Sequence, residues 1–299
     1  MLFLSKMTPN DLQVSHPLSN DKYEVARLWQ DVFHDSDEYI ELFFNRVYKP
    51  ENTFVIKRNG SIISELQMIP YHVKLNDKII PAVYLCGLCT HPMERGRGFM
   101  KNLMRYAMIE MQRRGYSLVI VIPAEPSLFN YYRKQGFIYP INHTIEFQFI
   151  DIKAIDIFDS QYPYTFESCS KAHFTYFDRK QHALEKTILH DVYDFETILR
   201  ELKIDQGEAC VALNNSTPVG MVFAKKCSQD VILIKQIFSD NQTIHAALQK
   251  YACRLFETHH VKTILPATST KEAIPYGLAC IIDNQNHNLN NTCMSLMLD

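Results

Sequence analysis

The stretch Thr90-His91-Pro92-Met93-Glu94-Arg95-Gly96-Arg97-Gly98-Phe99-Met100 holds two of the nine glycines in a 299-residue chain, and the hydrophobic period changes across it. On its N-terminal side Pro81 to Cys89 is almost wholly apolar, rich in Val, Tyr and Leu, and reads as a buried strand. On its C-terminal side Met100, Leu103, Met104, Ala107, Met108 and Met111 recur at helical spacing, with Lys101, Asn102, Arg105, Glu110 and Gln112 between them. Glycines at such a strand-to-helix junction free backbone N–H groups beside those that the helix start leaves unpaired, and together they form an anion site suited to phosphate. Spacing narrows the kind. A nucleotide-hydrolase loop needs Lys and Ser/Thr after its last glycine, where Phe99 and Met100 stand. A dinucleotide loop needs a third glycine at Lys101 and an acid at the end of the next strand, and Leu118 to Ile122 contains none.

The pattern left, Arg95-x-x-Gly98-x-Met100, resembles the Gln/Arg-x-x-Gly-x-Gly/Ala pyrophosphate loop of the GNAT acetyltransferases. Met100 departs from the small residue of that motif; it either crowds a cofactor or faces the core. Neighbouring elements fall in the order of the same family. The helix closes at Gly115 after Arg113 and Arg114, a strand follows over Tyr116 to Pro123, then a short helix from Ser127 to Gln135. Tyr132-Arg133-Lys134-Gln135-Gly136-Phe137 is similar to the Tyr-x-x-x-Gly-Phe ending of the GNAT core. Upstream, Asp21 to Phe33 reads as an amphipathic helix and Thr53 to Arg58 pairs with Ser61 to Tyr71 around Asn59-Gly60, a hairpin signal. The resemblance covers residues 1 to 150. It implies an α/β (α+β) fold, a mixed central sheet flanked by helices, and acetyl-CoA as co-substrate. It places the pyrophosphate on Met93, Arg95, Gly96, Arg97, Gly98, Phe99 and Met100, with the acetyl-pantetheine arm along the backbone of Leu88, Cys89 and Thr90. Tyr132 takes the family's general-acid position, against the alternative of a packing tyrosine beside Phe129 and Tyr131.

A general base is harder to place, because Pro81 to Thr90 has no carboxylate. Glu65, alone in the apolar strand Ile62 to Ile69, is the nearest acid, acting through water; a salt-bridged or surface Glu65 is the competing reading. His72 and His91 are further candidates that loop or hairpin positions also explain. Asp35, Asp37, Glu38 and Glu41 cluster where GNAT folds line the acceptor groove, so the expected acceptor is an amine on a small molecule or peptide. Ser36 capping a helix whose first turn favours acids explains the same cluster without any ligand.

After residue 150 the order of elements repeats. His182 to Leu202 reads as helix, Ala209 to Leu213 and Val219 to Ala224 as a hairpin, Val231 to Phe238 as a strand, Thr243 to His259 as helix and Val261 to Leu265 as a strand. At the loop position stands Ser239-Asp240-Asn241-Gln242-Thr243, with no glycine and an acid that would repel pyrophosphate. The expected layout is a catalytic domain over 1–150, a linker over 151–164 and a degenerate GNAT-like domain over 165–299; an unrelated accessory domain is the alternative. This plan is similar to the first two domains of the enhanced-intracellular-survival acetyltransferases. In that family a C-terminal carboxylate reaches the active site, which makes Asp299, at the end of the apolar run from Met294, a candidate base; a solvated terminus is the alternative.

Composition sets outer limits. A formal net charge of −2 provides no cationic surplus for a nucleic-acid backbone, so no nucleic-acid partner is expected. The longest apolar run, Ile79 to Cys89, is too short to span a membrane, and the expected location is the cytoplasm. Eight scattered cysteines read as buried thiols; Cys86 and Cys89 lack a second pair to complete a metal site, and strict strand alternation puts them on opposite faces. The expectation is no metal. Two other functions stay open: a CoA-sensing module without turnover, and a tandem-GNAT aminoacyl transferase using charged tRNA.

Overall fold

The computed structural model describes residues 13–151, 164–267 and 273–297. The chain begins with β1 (Val14–Ser15), α1 (Lys22–Phe33) and α2 (Asp37–Arg46). Helix α1 stops at His34, whose left-handed backbone (φ 60°) breaks the spiral, and the Ser36 hydroxyl accepts the Tyr39 N–H to start α2. Strands β2 (Thr53–Arg58) and β3 (Ser61–Leu75) join through Asn59 (φ 52°) and Gly60 (φ 86°), the two positive φ values a tight hairpin turn requires. Then come β4 (Lys78–Thr90), α3 (Phe99–Arg113), β5 (Leu118–Val121), α4 (Leu128–Arg133) and β6 (Tyr139–Phe149).

The second half continues with β7 (Tyr164–Ser168), α5 (Phe174–Ala183), β8 (Lys186–Leu189) and α6 (Val192–Ile204). It ends with β9 (Gly207–Asn214), β10 (Thr217–Ser228), β11 (Val231–Ser239), α7 (Gln242–Leu255), β12 (His260–Pro266) and β13 (Ile274–Ile281). The run His182 to Leu202 is therefore not one helix. The β-branched pair Thr187-Ile188 lies in a strand that pairs with β3, His72 opposite Leu189.

The strands form one mixed sheet in the order β1-β2-β3-β4-β5-β13-β6-β12-β11-β10-β9-β7, with β8 attached to β3. Near-C-terminal β13 inserts between β5 and β6, and β6 pairs on its other side with β12. The halves thus exchange strands, and a chain cut after residue 150 leaves β5 without its β13 neighbour. Helices cover both faces. Trp29, Phe43, Phe44 and Tyr48 pack on one face of the first half, while Leu103, Met104, Ala107 and Met111 of α3 pack with Tyr132 and Phe137 on the other. Phe177, Phe195 and Phe223 centre the corresponding layer of the second half, with Ile244, Leu248 and Cys253 of α7 opposite. Truncating any one of these buried phenylalanines would cost about 3–5 kcal/mol. Arg46 of α2 ties the halves, donating from Nε to Thr197 Oγ1 (2.8 Å) while its guanidinium lies 4.0 Å from the Tyr193 ring centroid.

Candidate active site: a cleft between two diverging strands

Strands β4 and β5 run parallel and in register only as far as Leu85 opposite Val121. Beyond that β4 continues to Thr90 on β3 alone, while Pro123, which lacks an N–H, ends the other strand. The β5-facing edge of residues 86–90 is left without a neighbouring strand. Within this segment Glu65 lies opposite Cys89 but Gln67 opposite Cys86, so β4 carries one extra residue, a β-bulge. Gly87 has φ +59°, and a Cβ there would lie 2.4 Å from Trp29 Cζ3, so glycine is the residue that fits. The bulge corrects the alternation argument: Cys86 and Cys89 both face the Trp29 core. No group of metal-binding side chains occurs among the described residues.

At the end of β4 the loop is held from its flanks. Arg95 Nε donates to Thr90 O (3.2 Å), and Glu94 is gripped by Arg58 and by Arg97 (3.1 Å). Gly96 (φ 78°) and Gly98 (φ 82°) adopt left-handed conformations, and Gly98 is the N-cap of α3. The first α3 bond from this end is Asn102 N–H to Gly98 O, and the N–H groups of residues 96 to 101 have no acceptor among the described residues. Nothing lies within 4 Å of a Cβ built on either glycine, so the amides open onto unobstructed space. The positive end of the α3 dipole adds to them, and this set fits a pyrophosphate. Phe99 and Met100 pack partly buried against the α3-side core, so Met100 turns away from the loop mouth. Met93 is highly exposed.

The gap between the strands opens into a cleft of about 680 Å³. Cys86, Gly87, Leu88, Ile122 and Pro123 form its floor, and Tyr132 of α4 reaches it from the side. Tyr132 is 5% exposed, and its hydroxyl has no hydrogen-bond partner among the described residues, although the ring packs on Tyr131 and Phe137. Burial pushes its pKa up, so the phenol keeps its proton at neutral pH.

The other candidates are placed differently. Glu65 has zero exposure and does not line the cleft; Cys89 Sγ and Gln67 Nε2 sit 3.4 Å from its oxygens. Burial raises its pKa well above its ordinary value, which disfavours a charged carboxylate inside the core. This placement argues against Glu65 as the base. His72 is exposed and faces β8, and His91 accepts the Met93 N–H within its own turn. Asp299 lies outside the described residues. Of the acidic segment only Asp35 lines the cleft; Asp37 takes a hydrogen bond from Gln30 (2.5 Å). Sequence reasoning missed Trp29, which lines the cleft and donates to Asp35 Oδ2 (2.7 Å), and also Glu201, Ile204 and Asp205 from the end of α6. Trp29 is the chain's one tryptophan, a usable signal; nothing local in α6 points to a cleft formed with residues 170 positions upstream.

The equivalent junction in the second half is closed. Asn241 caps α7 with its own side chain, accepting from Ile244 N–H (2.9 Å). Asp240 is taken by Lys180 (2.7 Å), Arg179 (3.7 Å) and Tyr176. A pyrophosphate would have to displace both the cap and these pairs.

Comparison with known proteins agrees with this geometry. Residues 15–139 match the model of the acetyltransferase (GNAT) domain family. The chain is similar in fold to a probable N-acyltransferase from Enterococcus faecalis V583, at TM-score 0.72 and 13% identity over 91% of this chain and 73% of that one. It is similar in fold to Eis1 from Mycobacterium abscessus, at TM-score 0.64 and 10% identity over 91% and 74% of the two chains. A tandem GNAT protein from the clavulanic acid biosynthesis pathway aligns at TM-score 0.53 and 11% identity over 92% and 100%. A search of curated proteins gives no significant match. The mixed, helix-flanked sheet with two GNAT-like units is thus the architecture of the chain. No described helix is long and apolar enough to cross a membrane.

Proposed function

We propose that this protein transfers an acetyl group from acetyl-CoA to a primary amine, using the first-half cleft. The observation that carries the reading is the succession along β4: an unpaired strand edge at 86–90, the free amides of 96–101, and the lone hydroxyl of Tyr132 facing the same gap. When bound, acetyl-CoA supplies a thioester carbonyl open to attack by an amine. The loop amides and the α3 dipole hold the pyrophosphate, Arg95 and Arg97 flank it, and the Leu88–Thr90 edge aligns the extended arm as a partner strand would. Tyr132, protonated because it is buried, donates its O–H proton to the departing sulfur. The amine's proton is assigned to Asp299. Two residues before it, Met297 accepts from Lys235 Nζ (3.4 Å), and Lys235 pairs with the cleft-lining Glu201 (3.7 Å). The second half, with its own junction closed, acts by shaping the acceptor side.

Tyr132→Phe tests the reading, because it keeps the ring packing and removes only the proton donor. Thiol release during amine acetylation should fall about 10²-fold or more, with acetyl-CoA affinity unchanged. Wild-type turnover in Tyr132→Phe, measured where chemistry limits, would remove the acid role.

A further inference from the structure

We propose that Arg58, on the β2–β3 hairpin and outside the loop itself, is a positioning residue that holds segment 95–98 in its anion-binding shape and cancels the charge of Glu94 beside it. This rests on that segment being the pyrophosphate site.

The segment contains little that fixes its own backbone. Gly96 and Gly98 both take left-handed conformations (φ 78° and 82°), and no atom lies within 4 Å of a Cβ built on either. Glycines leave many other backbone shapes open to the chain, so a preformed site here has to be held from outside. Arg58 reaches both ends of it. Its Nη1 donates to both carboxylate oxygens of Glu94, the residue before the segment. The same guanidinium lies 5.3 Å from the ring centroid of Phe99, the residue after the segment, and Phe99 packs against the α3-side core. Arg58 is itself well placed to act as a brace, because it ends β2 opposite Ser61 across the tight Asn59-Gly60 turn. Its side chain is 30% exposed and that of Glu94 16%, so water screens the pair only in part.

Charge gives Arg58 a second task. An unpaired Glu94 would oppose a pyrophosphate held by the next few amides. Arg58 and Arg97 (3.1 Å from Glu94 Oε2) set two cations against that one carboxylate. Arg97 belongs to the segment and moves with it, whereas Arg58 comes from a separate strand. Of the two, only Arg58 can both neutralise Glu94 and anchor the loop to the sheet.

The test combines proteolysis with three probes on the full-length protein. Trypsin cuts after arginine, so limited cleavage at Arg95 and Arg97 reports opening of the segment with no ligand present. Arg58→Ala should speed that cleavage several-fold. In ligand-observed NMR titrations it should weaken CoA and inorganic pyrophosphate about tenfold, and leave pantetheine, which lacks the phosphates, within about twofold. A general loss of structure would weaken all three together. Arg58→Lys, which keeps a cation for Glu94 but loses the flat contact with Phe99, should show a smaller loss in the same two probes and covers the case in which Arg58→Ala does not fold. Unchanged cleavage, unchanged CoA affinity, or equal losses for all three probes in the folded variants would overturn the proposal. If CoA binds wild type and variants alike, only this inference fails. If wild type binds neither CoA nor pyrophosphate, the acetyl-CoA reading fails and the charge role of Arg58 with it, while the cleavage rates still decide the brace.

Discussion

Gly87→Ala probes the bulge that opens the cleft, and its cost can be built from two terms. The first is backbone: φ is +59°, a left-handed conformation that costs an L-residue with a Cβ about 1–2 kcal/mol. The second is packing, since the added carbon would lie 2.4 Å from Trp29 Cζ3 and 2.7 Å from Cε3, and Trp29 is pinned by Phe43 and by its bond to Asp35. Overpacking of this kind costs about 1–3 kcal/mol. Together the substitution should destabilise the protein by about 2–5 kcal/mol. Both clashing atoms belong to the six-membered ring of the indole, so Trp29→Phe creates room. In a double-mutant cycle read by urea denaturation, Gly87→Ala should be less damaging on the Trp29→Phe background by about the packing share, leaving the backbone share. A Gly87→Ala protein as stable as wild type, or costs that add with no coupling, would refute the close approach and with it the bulge geometry.

Two further predictions concern buried titrating groups. Glu65→Gln replaces a buried acid that lies outside the cleft, and whose charged form burial disfavours, by a neutral isostere, so turnover should be unchanged. An acid with a raised folded pKa contributes stability that is lost as pH rises through that value, so the variant should gain stability relative to wild type in alkaline denaturation series. A hundredfold fall in turnover would instead make Glu65 the base. His190, buried between Tyr71 and Phe177 with Nε2 on Ser295 O, is pulled down to about 4 by burial. Its depressed pKa contributes stability that is present above about 6.5 and lost as pH falls through 4, roughly 3 kcal/mol in all. Asp194, pushed up to about 6, acts in the opposite sense, so the readout is the difference between wild type and His190→Phe. That difference should change between pH 6.5 and 4, and a pH-independent difference would show that His190 does not stay neutral in the fold.

Features encoded within a few residues were legible in the sequence. The glycine loop, the helix that follows it and the Asn59-Gly60 turn all depend on backbone conformations that neighbouring residues dictate, and they lie where spacing placed them. The pairing of Cys86 and Cys89 on one face was not legible, because alternation assumes a regular strand and the bulge at Gly87 shifts it by one residue. Strand β8 was hidden because Lys186–Leu189 is too short for a period to emerge between two helices. Insertion of β13 between β5 and β6 was equally invisible, since strand partners at a separation of about 150 residues leave no local mark. The acceptor-side wall was missed for the same reason. Asp35 was within reach of a sequence argument, whereas Glu201 and Asp205 reach the cleft only through the packing of α6 on α2.

The central claim is a single cofactor site built from the free amides of the 96–101 segment, and isothermal titration of acetyl-CoA into the full-length protein tests it most directly. The account predicts one site per chain, and loss of the binding heat in Gly98→Asp, where a carboxylate would project into the space that is open around Gly98. Two sites per chain, or unchanged affinity in a folded Gly98→Asp protein, would contradict it.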